Sequence, residues 1–359
     1  MSGVMRSGAK AVSGAPAVLD RPITASSAWR ADGLTADDWI LKIPPKALAE
    51  LDELAGKLAS YEGPVEDLSA TDYALEAVRE LMAAVDDRLH HGIGFVVLDR
   101  LPVERWGIAA ARAIGWMLTS LLGPVVEQKA DGTRLYEVKD SGAKLGYGVR
   151  RSVTNLDQDF HTDGGWLAQT PAIVTLVCLR PASAGGLSRV ASLARAHDEL
   201  RERHPDLLER LYQPFWWDRQ AEHAPDECKS SRHPVFTLCD GQLTVRHYAD
   251  YVHKGYALLG ESLDDDGAAA LRTMKAIVAA PENRIEFHLE PGQIEYVNNH
   301  LLAHARTAFE DDATRGGRYL LRLWNRRQGG IELEPQQGAS DEAETVPASR
   351  AAESQGAGD

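Results

Sequence analysis

The tripeptide His161-Thr162-Asp163 carries two side chains that can bind a metal ion. Residues two apart share one face of a β-strand, so an extended segment over 153–163 would bring the imidazole and the carboxylate together. A third ligand must come from elsewhere in the chain, where His304 is the best candidate and His300 is its rival. Two histidines and one carboxylate are the ligand set of metal sites that keep coordination positions open, as non-haem Fe(II) sites do. The tripeptide alone is weak support, because it also arises by chance.

Arg318 and Arg322 are candidates for binding an anion. Both lie in or next to an apolar run, Tyr319–Trp324, that is typical of a strand, and their spacing puts them on one face. Burying two guanidinium groups costs free energy unless anions pair with them. A substrate or co-substrate carboxylate would do so through two parallel hydrogen bonds, and the chain's own acids are the alternative. Ser188 follows the turn Gly185-Gly186 and is either a ligand-binding hydroxyl or a turn residue.

Candidate substrate contacts flank the metal motif. In a regular strand Asp157 would share the face of the two ligands and could pair with a substrate cation, while Arg322 takes a carboxylate. That arrangement predicts an amino-acid-like substrate. The strand could instead begin near Asp159, since four inward polar groups in a row are unusual. Trp166 either walls the same pocket or belongs to the core.

Composition excludes several functional classes. The 359 residues carry a net charge of −14, which argues against general binding to nucleic acid or to an anionic membrane. The three cysteines show no Cys-x-x-Cys spacing, which favours a reducing cytoplasm over a disulfide framework or a structural zinc site. No apolar run approaches the roughly 18 residues of a membrane span, and no signal peptide is evident at the N-terminus. We expect a cytoplasmic protein with a small-molecule substrate, and a homo-oligomer is left open.

Three regions are expected along the chain. Residues 1–28 are rich in Ser, Ala, Gly and Pro and read as a disordered tail, and residues 331–359 read as an acidic disordered tail. A single domain spans 29–330. Its first part alternates helix and strand signals, and from about residue 135 short strand-like runs dominate.

The expected elements must position the candidate residues. Predicted helices cover 47–61, 71–91, 103–122, 193–212 with a break near Pro205, and 264–280; predicted strands cover 93–98, 173–179 and 319–324, with hairpins over 235–248 and 284–298. The segments 140–157 and 214–235 are candidate lids. This pattern predicts an α+β, mainly β fold: a jelly-roll barrel (double-stranded β-helix, cupin-like) buttressed by N-terminal helices and carrying a helical or lid insertion. A doubly wound fold is excluded by the lack of alternating βα units and of a phosphate-binding loop.

The ordered combination of motifs resembles the Fe(II)/2-oxoglutarate dioxygenases of the taurine dioxygenase and clavaminate synthase-like superfamily. The combination consists of His161-x-Asp163, Ser188 twenty-seven residues after His161, the segment Pro291–Asn299 before the distal histidine, and Arg318 fourteen residues after His304. The resemblance extends from about Trp29 to Arg327.

The resemblance implies a role for each matching position. His161, Asp163 and His304 would bind Fe(II), and the spacing to Arg318 selects His304 over His300. Arg318 would hold the distal carboxylate of 2-oxoglutarate, with Ser188 hydrogen-bonded to the same group. Arg322 lies where related enzymes use an arginine on substrate or co-substrate.

The implied reaction couples decarboxylation of 2-oxoglutarate, with O₂, to oxidation of a small molecule. Related halogenases have Ala or Gly where this chain has Asp163, so hydroxylation is favoured, with desaturation, epoxidation or ring closure also open. The alternative from another class is a non-catalytic jelly-roll protein that binds or senses a small molecule. A zinc hydrolase with the same triad would leave Arg318 without a role.

Overall fold

The computed structural model describes residues 17–326 apart from 240, 313 and 315. Its helices are α1 Ala36–Trp39, α2 Pro45–Leu58, α3 Glu76–His90, α4 Val103–Ser120, α5 Leu193–Arg203, α6 Pro205–Leu211, α7 Ala249–Leu259 and α8 Asp265–Ala279. Its strands are β1 Ile40–Lys42, β2 Phe95–Asp99, β3 Val125–Val126, β4 Tyr136–Val138, β5 Gln158–His161, β6 Ile173–Arg180, β7 Ala184–Gly185, β8 Ser188–Ser192, β9 Pro214–Asp218, β10 Ser230–Pro234, β11 Phe236–Cys239, β12 Gln242–Val245, β13 Arg284–Phe287, β14 Ile294–Asn298, β15 Leu302–Arg306, β16 Phe309–Glu310 and β17 Tyr319–Asn325.

Two sheets hold the candidate residues between them. The large sheet has the order β1-β2-β14-β6-β17-β3, with β4 also paired to β17, and the small sheet has the order β13-β8-β15-β5. A narrow cavity between the sheets is lined by Leu176 and Glu295 from the large sheet and by Ser188 and His304 from the small one. The fold is therefore the mainly β jelly roll that the sequence predicts.

Helices cover the outer face of the large sheet. Leu51 of α2, Val85 of α3 and Ile114 of α4 form one buried cluster with Val177 of β6 and Leu321 of β17. This burial explains why apolar residues occupy both faces of most of β6, because one face packs on helices and the other faces the barrel interior. The predicted buttress of N-terminal helices is confirmed.

The predicted hairpin over 284–298 is wrong. Instead β13 pairs with β8 in the small sheet, whereas β14 pairs with β2 and β6 in the large sheet. The turn at 290–293 carries the chain from one sheet to the other, which is a connection that alternating side chains cannot distinguish from a hairpin. The other predicted hairpin, β11 with β12, is confirmed.

Three smaller differences concern the start of one helix, an additional helix and the N-terminal segment. Helix α3 begins at Glu76 rather than near Thr71, because residues 70–72 form a separate 3₁₀ turn that Ser69 caps. Helix α7 has no counterpart among the predicted elements. Part of the predicted N-terminal tail is packed on the domain: the backbone N–H of Leu19 donates to the Tyr212 hydroxyl at 3.3 Å. The predicted acidic tail lies outside the described residues.

Among the described residues, no helix has both the length and the apolar character that are needed to cross a bilayer.

Candidate active site

Backbone pairing brings the two histidines together. His161 ends β5, His304 lies in the middle of β15, and the two residues are direct partners in the antiparallel pairing of these strands. Asp163 follows two residues after the end of β5, in the turn that begins there. Its Oδ1 lies 3.6 Å from Nε2 of His161, and its Oδ2 lies 4.0 Å from Nε2 of His304. One potential ligand atom from each residue fits within 4.8 Å of the others, and all three residues are buried.

Asn299 fixes the turn that carries Asp163. Its side-chain oxygen accepts the backbone N–H of Asp163 at 2.8 Å, and its amide nitrogen donates to the carbonyls of Asp163 at 3.0 Å and Pro171 at 2.9 Å. The regular strand expected over 153–163 is therefore not needed to aim this carboxylate. His300, the rival ligand, is not a member of the ligand cluster.

Hydrogen bonds also select the tautomer of His161. Its Nδ1 lies 2.9 Å from the carbonyl oxygen of Asp159, which can only accept, so the proton sits on Nδ1. Nε2 is then a lone-pair atom, and the side-chain amide of Gln158 donates to it at 2.8 Å. A metal ion would take this lone pair in place of Gln158.

Asp163 is held as an anion by two neighbours from β17. Nη1 of Arg322 lies 3.3 Å from Oδ1, and the indole N–H of Trp324 donates to Oδ2 at 2.8 Å. Burial alone would raise the pKa of Asp163, but the charge of Arg322 and the neighbouring histidines hold it well below its usual range. Burial lowers the pKa of His304 to about 3, which keeps that imidazole neutral.

This donor set fits a divalent metal. Two imidazoles and one ionised carboxylate place their potential ligand atoms close together, and imidazole and carboxylate ligands suit first-row metals such as Fe(II). Arg322, expected from the sequence to meet substrate or co-substrate, touches Asp163 and also bonds the side-chain oxygen of Gln128 at 2.8 Å. Gln128 had no signal in the sequence.

A small anion pocket adjoins the ligand cluster. It is lined by Ser188, Glu295, Arg318 and both histidines. Arg318 is 5% exposed, and its Nη1 has no hydrogen-bond partner among the described residues. Arg318 and Arg322 face the barrel interior as predicted. Leu321 and Leu323, which point to the opposite face of β17, pack against the helices. A buried guanidinium with a free N–H donor fits a site that receives a carboxylate.

Ser188 opens β8 directly after the predicted glycine turn. Gly185 and Gly186 adopt φ of +70° and +66°, a backbone region that favours glycine. The Ser188 hydroxyl donates to Oε2 of Glu295 at 2.9 Å. Glu295 was missed in the sequence analysis, although a single acid inside the apolar strand Ile294–Asn298 is a signal for a functional residue.

A larger cavity of about 510 Å³ lies beside the cluster. The segment 145–151 and Asp218 line it, so both candidate lid segments contribute, and helix α7 supplies much of the remaining wall. Tyr248 connects the cavity to the ligand cluster, because it lines the cavity and its ring centroid lies 5.3 Å from that of His161. The missed helix α7 is thus part of the site.

Asp157 and Trp166 lie outside this cavity lining. Strand β5 begins at Gln158, so Asp157 precedes it; its side chain is 55% exposed and 3.9 Å from Arg189. Trp166 lies behind the wall, edge-on to Tyr251 with a centroid distance of 5.7 Å. The acids that do line the cavity are Asp218 and Asp250.

The family follows from a match that covers most of the domain. The profile of the taurine catabolism dioxygenase TauD, TfdA family matches residues 60–324. The chain belongs to this family. As a TauD/TfdA member it is a non-haem dioxygenase that depends on Fe(II) and 2-oxoglutarate, as the sequence predicts, rather than a non-catalytic binding protein.

Relatives and solved structures agree with the TauD/TfdA assignment. FR-33289 synthase of Streptomyces rubellomurinus is 30% identical over 323 residues, which cover 88% of this chain and 94% of that protein. Asparagine oxygenase, solved with Fe(II), 3-hydroxyasparagine and succinate, superposes with a TM-score of 0.64 at 20% identity over 80% of this chain and 93% of its own. The non-heme iron oxygenase OrfP, solved with Fe and alpha-ketoglutaric acid, gives 0.58 at 16% identity over 80% and 94%. At these identities the two structures establish the shared fold.

Replacing Asn299 with alanine tests the turn that carries Asp163. We expect a loss of about 2–4 kcal/mol in the free energy of unfolding, because three buried backbone groups lose a partner. Metal affinity should also fall about 10- to 100-fold, as is typical when a ligand loses its orienting hydrogen bonds. Thermal denaturation and Mn(II) titration measure the two effects.

Asn298→Ala is the matched control. The Asn298 side chain is also buried and bonds Leu89 and His300 instead of Asp163. It should lose stability and keep its metal affinity. Equal metal affinity in both variants would contradict the orienting role of Asn299.

Proposed function

We propose that this TauD/TfdA enzyme hydroxylates a small, amino-acid-like molecule at a metal held by His161, Asp163 and His304. The observation that carries the proposal is the position of these three ligands, which adjoin both an anion pocket and an open cavity. The chemistry supplied by the bound metal is oxidation of a C–H bond with O₂, coupled to conversion of 2-oxoglutarate into succinate and CO₂.

The protein's own side chains divide the remaining tasks. The Asp159 carbonyl fixes the tautomer and the ring orientation of His161, and Arg322 with Trp324 keeps Asp163 ionised and oriented. Arg318 binds the distal carboxylate of 2-oxoglutarate beside Ser188. Residues 145–151 and α7 surround the substrate and limit the access of water.

Charged groups of both signs support a zwitterionic substrate. Arg151 and Asp250 line the cavity, their charged atoms are 4.0 Å apart, and their side chains are 33% and 39% exposed. Arg151 can bind a substrate carboxylate while Asp250 binds an ammonium or guanidinium group. The names of the solved neighbours, which act on asparagine and hold hydroxyarginine, support the same substrate class. Asp250 takes the role that the sequence analysis gave to Asp157.

Succinate formation tests the function. The Fe(II)-loaded protein is incubated with 2-oxoglutarate in air over a panel of amino acids, sulfonates and aryloxy acids, with His161→Ala as the inactive control. One amino-acid member should raise succinate formation. A rise with only aryloxy acids would contradict the substrate class, and no succinate with any member, together with no 2-oxoglutarate binding, would contradict the function.

Asp250→Asn tests the proposed cation contact. We expect the KM of the active panel member to rise about tenfold or more, because a hydrogen bond between charged groups is lost. The slow turnover of 2-oxoglutarate without substrate should not change, since Asp250 is not among the residues that line the anion pocket. Asp157→Asn makes the same chemical change outside the cavity and should keep the wild-type KM. Equal KM values for both variants would contradict the assignment.

We also propose that the enzyme works in a reducing cytoplasm. Cys178 and Cys228 are free thiols, which suits that compartment. The partner is the small substrate, and a homo-oligomer stays a prediction.

A further inference from the structure

Glu295 is a buried acid that the roles above do not use. Its side chain is 1% exposed and lines the anion pocket beside Arg318. Oε2 accepts the hydroxyl of Ser188 at 2.9 Å, whereas Oε1 has no partner among the described residues. Burying an ionised carboxylate without full pairing is costly, so this orphaned oxygen needs a specific explanation.

Most of the cationic groups near Glu295 already have partners of their own. The titratable and charged groups that share its pocket are Arg318 and Arg322 from the region of β17, Arg306 and His304 from β15, and His161 from β5. The Cys178 thiol of β6 also interacts with Glu295. Arg322 is paired with Asp163, and Arg306 donates to the backbone carbonyls of Thr154 and Leu156. Burial keeps the Cys178 thiol neutral by raising its pKa to about 12.

Arg318 is therefore the cation available to Glu295, and 2-oxoglutarate needs the same guanidinium. An ionised Glu295 would neutralise Arg318 and repel the incoming carboxylate. Burial raises the pKa of Glu295 to about 7, against the smaller opposing effects of the Ser188 hydrogen bond and of Arg318. A neutral acid leaves the pocket positive and adds a donor at Oε1.

We propose that Glu295 is a neutral acid that donates a hydrogen bond from Oε1 to the distal carboxylate of 2-oxoglutarate, next to Arg318. Ser188 orients this acid by donating to Oε2. The inference rests on the proposed function, because it takes this pocket as the co-substrate site. It makes co-substrate binding depend on one proton: 2-oxoglutarate binds the protonated pocket and is rejected when Glu295 ionises.

Calorimetric titration of 2-oxoglutarate into the Mn(II)-loaded protein tests the inference from pH 6 to 8.5. The wild-type Kd should rise about tenfold per pH unit above the pKa of Glu295, as linkage to one proton requires. The Glu295→Gln variant keeps an N–H donor of the same size and does not titrate. Its Kd should match the wild type near pH 6 within about threefold and should stay flat with pH.

Two other results would overturn the inference. A wild-type Kd as flat as that of Glu295→Gln would mean that no proton is linked. Tighter binding by the variant at every pH would mean that Glu295 is ionised and competes for Arg318. Absence of binding by the wild type at any pH would instead contradict the proposed function.

A second measurement needs no ligand. Glu295 binds its proton more tightly in the folded chain than at its ordinary pKa of 4.5, so the unfolded state holds fewer protons between pH 4.5 and about 7. The stability of the wild type relative to Glu295→Gln should therefore be greatest at pH 4.5, fall as pH rises to about 7, and level off above. A difference that stays constant with pH would contradict a neutral Glu295.

Discussion

Asp163→Asn is expected to weaken metal binding by more than about a hundredfold and to stop succinate formation. The substitution keeps the size of the side chain and an oxygen for the Trp324 indole, and it removes the single negative charge among the three ligands. Losing a ligand should exceed the 10- to 100-fold cost of losing an orienting partner. Mn(II) titration followed by electron paramagnetic resonance measures the affinity directly.

The same substitution leaves Arg322 buried with a neutral partner. Breaking a buried ion pair destabilises a fold by up to about 3–5 kcal/mol. The metal titration of the variant should therefore be done at a temperature below its unfolding transition, and circular dichroism should confirm that the protein is folded. Asp157→Asn is the control, since that exposed acid lies six positions earlier and outside the site. Metal affinity within threefold of the wild type in Asp163→Asn would rule this residue out as a ligand.

Arg318→Met is expected to raise the Kd for 2-oxoglutarate at least about thirtyfold and to leave metal affinity unchanged. Removing one partner of a buried charged pair costs about 2–5 kcal/mol, and each 1.4 kcal/mol is about tenfold in Kd. Methionine fills most of the space of the arginine stem, so the barrel should stay closed. Anaerobic titration of the Fe(II)-loaded protein, followed by its visible charge-transfer band, measures the Kd.

Arg189→Met is the matched control for this change. Arg189 follows Ser188 in β8 but points out of the pocket, where it pairs with Glu286 at 2.8 Å. It should bind 2-oxoglutarate as the wild type does. If Arg318→Met also binds normally, the distal carboxylate lies elsewhere and Arg318 has only a structural role.

Local signals predicted most of what lies close together in sequence. Helices α2 and α4, strand β6 and the paired β11 and β12 follow from apolar spacing and turn residues. The pairing of β13 with β8 could not be predicted in this way, because a short amphipathic strand fits either sheet equally well. Only the three-dimensional arrangement of both sheets decides which edge it joins.

In the candidate site, too, the sequence motifs could be predicted and the long-range contacts could not. The ordered spacing of its motifs named the three ligands together with Arg318, and the structure brings all four side chains to one place. Asp157 was placed by assuming a regular strand, and the strand starts one residue too late for it. Asn299 lies in the recognised motif Pro291–Asn299, but its contacts with Asp163 and Pro171 cross long sequence separations and could not be predicted from that motif.

Because β5 lies at the edge of the small sheet, the supply of metal should affect the stability of the folded protein. Two of the three proposed metal ligands come from this four-residue strand and the turn after it, and among the described residues β5 pairs with β15 alone. A bound ion would therefore hold β5 and its following turn against β15. The free energy of unfolding would rise in proportion to the logarithm of the metal concentration. At low metal concentration we expect β5 to separate from β15 more often, which would expose an unpaired strand to proteases or to other chains. Supply of the metal would then govern how much of the enzyme persists as well as how fast it works.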